Sequence, residues 1–177
     1  MESATQAEEA HVIASPLLEK VGRLGLTFPL DLERLAVMRG CDYYSREFGP
    51  RHPPLSDVPL SNGELAIALV VPLLRPAARE IRLAAALLGA PDVRADEVAA
   101  LAIQENCVEI VRHVALCGRR FEPESSFWQT LLAQLPDVMI NADRLPHPTR
   151  FVEMTGIDRG RIGVSTRWIR PHLPTAA

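Results

Sequence analysis

Cys107, His113 and Cys117 fall within eleven residues, and His113 and Cys117 are one helical turn apart, a spacing at which thiolate and imidazole can share a metal. The helical register separates them. Cys107, Ile110, Val111, Val114 and Cys117 make one apolar stripe, leaving Glu109, Arg112 and His113 toward the opposite side. No second C-x-x-C or H-x-x-x-H pair completes a ligand set, so the thiols read as small core residues, and the sequence predicts no metal and no cofactor. Glu105, Glu109 and His113 recur at four-residue steps. They lack the Glu-x-x-His spacing and the second such helix of a carboxylate-bridged di-metal bundle, and read as a solvated face.

Nucleophilic chemistry needs Ser, Cys or Thr beside a base and an orienting acid. The most crowded polar and aromatic spot is Cys41-Asp42 with Tyr43 and Tyr44, which His52, His113 or His147 could approach in three dimensions. Nothing local activates it. There is no G-x-S-x-G elbow, no cysteine-enzyme signature, no G-x-x-x-x-G-K-[ST] phosphate loop and no G-x-G-x-x-G after a strand.

The carboxyl-terminal segment carries the clearest asymmetry. From Arg144 to Ala177 six arginines face only Glu153 and Asp158, a net +4, while the rest of the chain carries −7. Arg159-Gly160-Arg161 and Arg167-Trp168-Ile169-Arg170 set guanidinium groups beside an aromatic, the pairing that phosphate or single-strand contacts use. Arg150, Arg159, Arg161, Arg167, Trp168 and Arg170 are therefore the candidates for contact with a partner or a phosphate. The same segment also carries Phe151, Met154, Ile157, Val164 and Ile169, so the favoured reading is an arm docked on the acidic helical body.

The elements that must position these residues read as helices. A short one runs from about Ser15 to Leu24, with Pro16 in the first turn, and a second begins at Leu30 and is expected to run on through Tyr43 and Tyr44 to Phe48 despite Gly40. Pro50, Pro53, Pro54 and Pro59 make residues 49 to 59 a loop. Ser61-Asn62-Gly63-Glu64 fits a capping box, and the run Leu65 to Leu74, apolar on every side, is the candidate central helix. Further helices are expected from Pro76 to Leu88, from Asp92 or Asp96 to near Asn106, from Val108 to Cys117 with Gly118 as the stop, and from Glu124 to Leu135. After Pro136 only a turn of helix near Phe151 and an extended run from Ile162 to Ile169 are expected.

Glu80 to Gly89 and Glu109 to Gly118 match at Glu, Ile, Ala, Leu and Gly, 29 residues apart. Leu101-Ala102-Ile103-Gln104-Glu105-Asn106-Cys107-Val108-Glu109-Ile110-Val111-Arg112, with Gly118 behind it, resembles the helix pair of an ankyrin repeat, and Gly89-Ala90-Pro91-Asp92-Val93 resembles that family's loop. The resemblance covers about residues 89 to 118. It departs where Glu97-Val98-Ala99-Ala100 stands in place of the threonine-proline-leucine-histidine turn, and in a spacing of 29 where the family has 33. It implies antiparallel helices stacked in pairs, an arrangement that generally binds other proteins.

With 177 residues, 47% of them apolar and 23% charged, the chain suits one globular domain with a sizeable core. Its longest charge-free apolar run is too short to cross a bilayer, and a net charge of −3 implies no global attraction to nucleic acid or membrane. Eighteen of the 19 basic residues are Arg, a bias that reads first as GC-rich, bacterial-like coding. Glu2, Glu8 and Glu9 with no basic residue in the first ten predict no targeting leader, and three sparse cysteines predict thiols reduced in a cytosol. The expectation is an all-α fold of six or seven helices, an irregular bundle or short helix-pair stack, with a partly extended arm. Its parts are a flexible terminus at 1–14, a helical domain at 15–136 and the basic arm at 137–177. The function read from this is a non-catalytic interaction or assembly module that binds another protein or a second copy of itself and no membrane. A nucleic-acid-binding regulator using the arm is the alternative, and an enzyme centred near Cys41, Tyr43 and Tyr44 is the third reading.

Overall fold

The computed structural model describes residues 15–41, 58–155 and 165–172. Among them are seven α-helices, α1 (Pro16–Arg23), α2 (Leu30–Met38), α3 (Asn62–Val70), α4 (Ala78–Leu88), α5 (Ala95–Gln104), α6 (Val108–Phe121) and α7 (Ser126–Gln134). A two-stranded antiparallel ribbon, β1 (Val152–Thr155) and β2 (Ser165–Trp168), pairs Val152 with Trp168. The fold is all-α with an extended C-terminal arm.

Local chemistry sets the helix starts. The Ser15 hydroxyl accepts from the Leu18 amide at 3.1 Å, and Pro16 stands where a missing N–H is harmless. The expected capping box of α3 is made in both directions: Glu64 N donates to Ser61 Oγ at 3.0 Å, and Ser61 N donates to Glu64 Oε2 at 2.9 Å. Every residue from Leu65 to Val70 is buried, because α3 packs against α1, α2, α4 and α5. Pro72 ends it as a short 3₁₀ turn over Pro72–Leu74. Pro76 falls before α4 and not in its first turn, since the Glu80 carboxylate accepts from the Ala77 amide at 2.9 Å and makes Ala77 the cap. α2 ends at Met38, before Gly40, and does not reach the expected extent to Phe48.

Gly118 does not stop α6. The helix runs three residues further, to Phe121, because the side-chain void at Gly118 admits the Trp128 ring of α7: a Cβ there would lie 2.4 Å from Trp128 ring atoms. Gly89, its counterpart in the 29-residue echo, does end α4, and Trp168 and Ile169 of the arm lie against it. α5 packs chiefly on α7 and α3, whereas the ankyrin-like reading implies α6 as its closest partner.

The arm shares the helical core. Phe151, Trp168 and Ile169 are fully buried in the same apolar cluster as α3, α4 and α6. The Trp168 indole donates to the Ala85 carbonyl at 3.0 Å, and the Ile169 amide donates to the Phe151 carbonyl at 3.0 Å. Phe127, Trp128, Trp168, Phe151 and His113 form a continuous ring-to-ring chain with centroid spacings of 4.8, 4.8, 5.6 and 6.0 Å.

Candidate functional site

Two polar residues, Glu105 at the end of α5 and His113 in α6, are structural. Glu105, expected on a solvated face, is buried where α5 ends, and its carboxylate takes the Ser15 hydroxyl at 2.5 Å and the Leu17 amide at 2.9 Å. It thus accepts one orphan backbone donor at the start of α1, the Leu17 amide, orients the Ser15 cap and complements that helix dipole. His113 is also buried. Its Nε2 lies 2.9 Å from the Pro146 carbonyl, which can only accept, so Nε2 carries the proton. The chain after α7 doubles back over α6 and covers this face: Asp137 pairs with Arg112 at 2.8 Å, and the Asn141 amide donates to Glu109 at 2.8 Å. Glu109 alone of the three remains exposed.

Cys41, Cys107 and Cys117 are buried thiols with no disulfide among them. Burial, then the Glu105 carboxylate, pushes the Cys107 thiol up to about 12, and burial pushes Cys117 up to about 11 against the pull of Arg120. Both are protonated at neutral pH and so are weak nucleophiles. Among the described residues no three His, Cys, Asp or Glu side chains gather as a metal-binding group. Asp42, Tyr43 and Tyr44 lie outside the described residues.

The arm candidates divide. Arg150 is exposed, and Arg159 and Arg161 lie outside the described residues. Arg167 pairs with Glu153 across the ribbon at 3.1 Å, with its side chain 60% exposed. Arg170 donates to the Gly89 carbonyl at 3.0 Å and meets Glu122 at 2.6 Å, and Glu122 also accepts from the Trp128 indole at 2.8 Å. One carboxylate thus joins α7 to the arm. Trp168 is 1% exposed, and no face of it is open for a base to stack upon.

Two features escaped the sequence reading. Glu33 of α2 is fully enclosed, with Arg79 Nη2 at 2.5 Å and the Glu80 carboxyl facing it. Burial first, and Glu80 next, raise its pKa against the pull of Arg79. Glu33 occupies a buried position of the α2 stripe, and that mismatch with its charge was the available signal. The second is an open groove of about 460 Å³ along the outer side of the α6–α7 hairpin, lined by Arg112, Leu116, Arg119, Gln129, Leu132 and Ala133. These residues recur at helical spacing on both elements, so the stripe was legible, but its pairing across two helices was not.

Fold and site together define an all-α protein with open surface grooves and a core-docked basic arm. No family model, no curated protein and no solved structure matches the chain. Among the described residues no helix is long and apolar enough to cross a membrane.

Proposed function

We propose that the protein is a non-catalytic interaction or assembly module of the cytosol, which recognises another protein or a second copy of itself through its helical surface. The observation that supports this reading is that large apolar side chains stand outside the core on several elements, with Met139 94%, Leu73 63%, Leu30 53% and Ile103 48% exposed, where each can serve as an anchor for a partner. Several described polar groups that could do chemistry, Glu105, His113, Glu122 and the thiols of Cys107 and Cys117, are meanwhile committed to holding elements together or buried in the core. Three thiols without a disulfide support a reducing compartment.

A second reading, a nucleic-acid-binding regulator, is favoured by the exposed Arg150 and the half-exposed guanidinium groups of Arg167 and Arg170, which phosphates could reach. Size analysis of the full chain at native abundance in cell extract, with and without nuclease, separates the two. The expected result is a nuclease-resistant species larger than 19.5 kDa. A nuclease-sensitive species that dissociates steeply with salt would transfer the function to the arm, and a monomer under both conditions would contradict the interaction reading.

A further inference from the structure

The outer face of the α6–α7 hairpin carries opposite charges at its two ends. Arg119 stands at the C-terminal end of α6, exposed and in no ion pair among the described residues. At the other end the exposed Glu109 and Asp137 outnumber Arg112; Asp137 is 93% exposed even while it contacts Arg112. Leu116 lies between Arg112 and Arg119 on the helix, with Leu132 and Ala133 across the groove. Met139, anchored between Asp137 on Arg112 and Asn141 on Glu109, projects beside the acidic end.

We infer that this face is a self-complementary surface through which two copies of the chain pair about a two-fold axis passing over the middle of α6, between Arg112 and Leu116 and level with position 114. Antiparallel hairpins related by that axis bring Arg119 of each copy to Asp137 and Glu109 of the other, with Leu116 and Leu132 at the centre and Met139 flanking the acidic contact. Glu109 and Arg119 are ten residues, about 15 Å, apart along the helix, so both charge contacts form at once without bending. A uniformly acidic or uniformly basic partner would meet repulsion at one end. A second copy meets none. Helices of 14 and nine residues present a face of roughly 400 Å² per copy, about half that of a standard specific interface and in the range of weak, transient encounters, so the pairing is reversible and concentration-dependent.

The inference rests on the interaction-module reading and has its own test. Sedimentation velocity of the purified full chain from micromolar to millimolar concentration is expected to show a monomer–dimer equilibrium. Arg119→Glu and Asp137→Lys should each weaken dimerisation about tenfold or more. Arg119→Glu, at an exposed position in no ion pair among the described residues, should leave the melting temperature unchanged. Asp137→Lys also loses the contact with Arg112 and should lower it slightly. An equimolar mixture of the two should dimerise again, since a mixed pair sets Glu opposite Lys at one contact and the native Arg opposite Asp at the other. A wild type monomeric throughout, single variants that dimerise like the wild type, or a mixture that stays monomeric would each overturn the inference. A nuclease-resistant complex in extract would leave the broader reading standing in any of those cases.

Discussion

Buried charge decides how Glu33 responds to pH. Its pKa is raised in the fold, so its contribution to stability is fully present below its unfolded value, near 4.5, and is lost as pH rises through the folded value. Glu33→Gln should therefore match the wild type in acid and exceed it in stability toward neutral pH, as read by urea melts from acid to neutrality. A difference that grew on acidification would contradict the sign. Gly118→Ala tests packing at the same scale. A Cβ 2.4 Å from a buried indole has nowhere to go, and the expected loss is about 1–3 kcal/mol or more. A variant of wild-type stability would show that Trp128 does not sit over that glycine. The apolar stripe of α6 was readable from residue types, since Val111, Val114 and Cys117 are buried where the register puts them. The burial of His113 and Glu105 was not, because their partners Pro146 and Ser15 lie 33 and 90 residues away. A helical wheel carries no record of a second layer folding back over its polar side.

At the scale of elements, starts were more legible than stops. Caps are local: Ser61 and Glu64 are three residues apart, and their reciprocal bonds follow from that spacing alone. Gly118 reads as a terminator by the same local logic, yet a close approach from α7 overrides it. The 29-residue echo likewise joins a helix that ends at its glycine to one that runs past it, so the likeness in letters does not extend to helix ends. The cap and the core of α3 should differ in what they contribute. Ser61→Ala is expected to lose about 0.5–2 kcal/mol and Leu69→Ala about 2–5 kcal/mol in equilibrium unfolding. Near-zero losses at both would remove α3 from the centre of the fold.

For the whole molecule, the arm determines how charge should be read. A segment of net +4 beside a body of −7 suggests a free basic tether if only letters are counted. In the fold, Arg167 and Arg170 answer Glu153 and Glu122, and the apolar residues between them enter the core. That alternation of guanidinium and apolar side chains was visible in the sequence, but which of the two faces the body was not. A chain ending at Asp143 loses Phe151, Trp168 and Ile169, each worth about 1.5–3 kcal/mol of burial, and exposes Gly89 and the surface of α4 that Trp168 covers. It should melt at a markedly lower temperature and self-associate, as followed by calorimetry and light scattering; unchanged melting of a monomer would contradict the docked arm.

The most direct test replaces one ring. Trp168 is either a core residue, donating its indole N–H to Ala85 and stacking on Phe151, or a recognition residue held out for a base. Equilibrium urea unfolding of Trp168→Ala against the wild type distinguishes them. The docked-arm account predicts a loss of about 3–5 kcal/mol, as for a large aromatic removed from a packed core. A change within about 0.5 kcal/mol, the range of an exposed surface substitution, would contradict it.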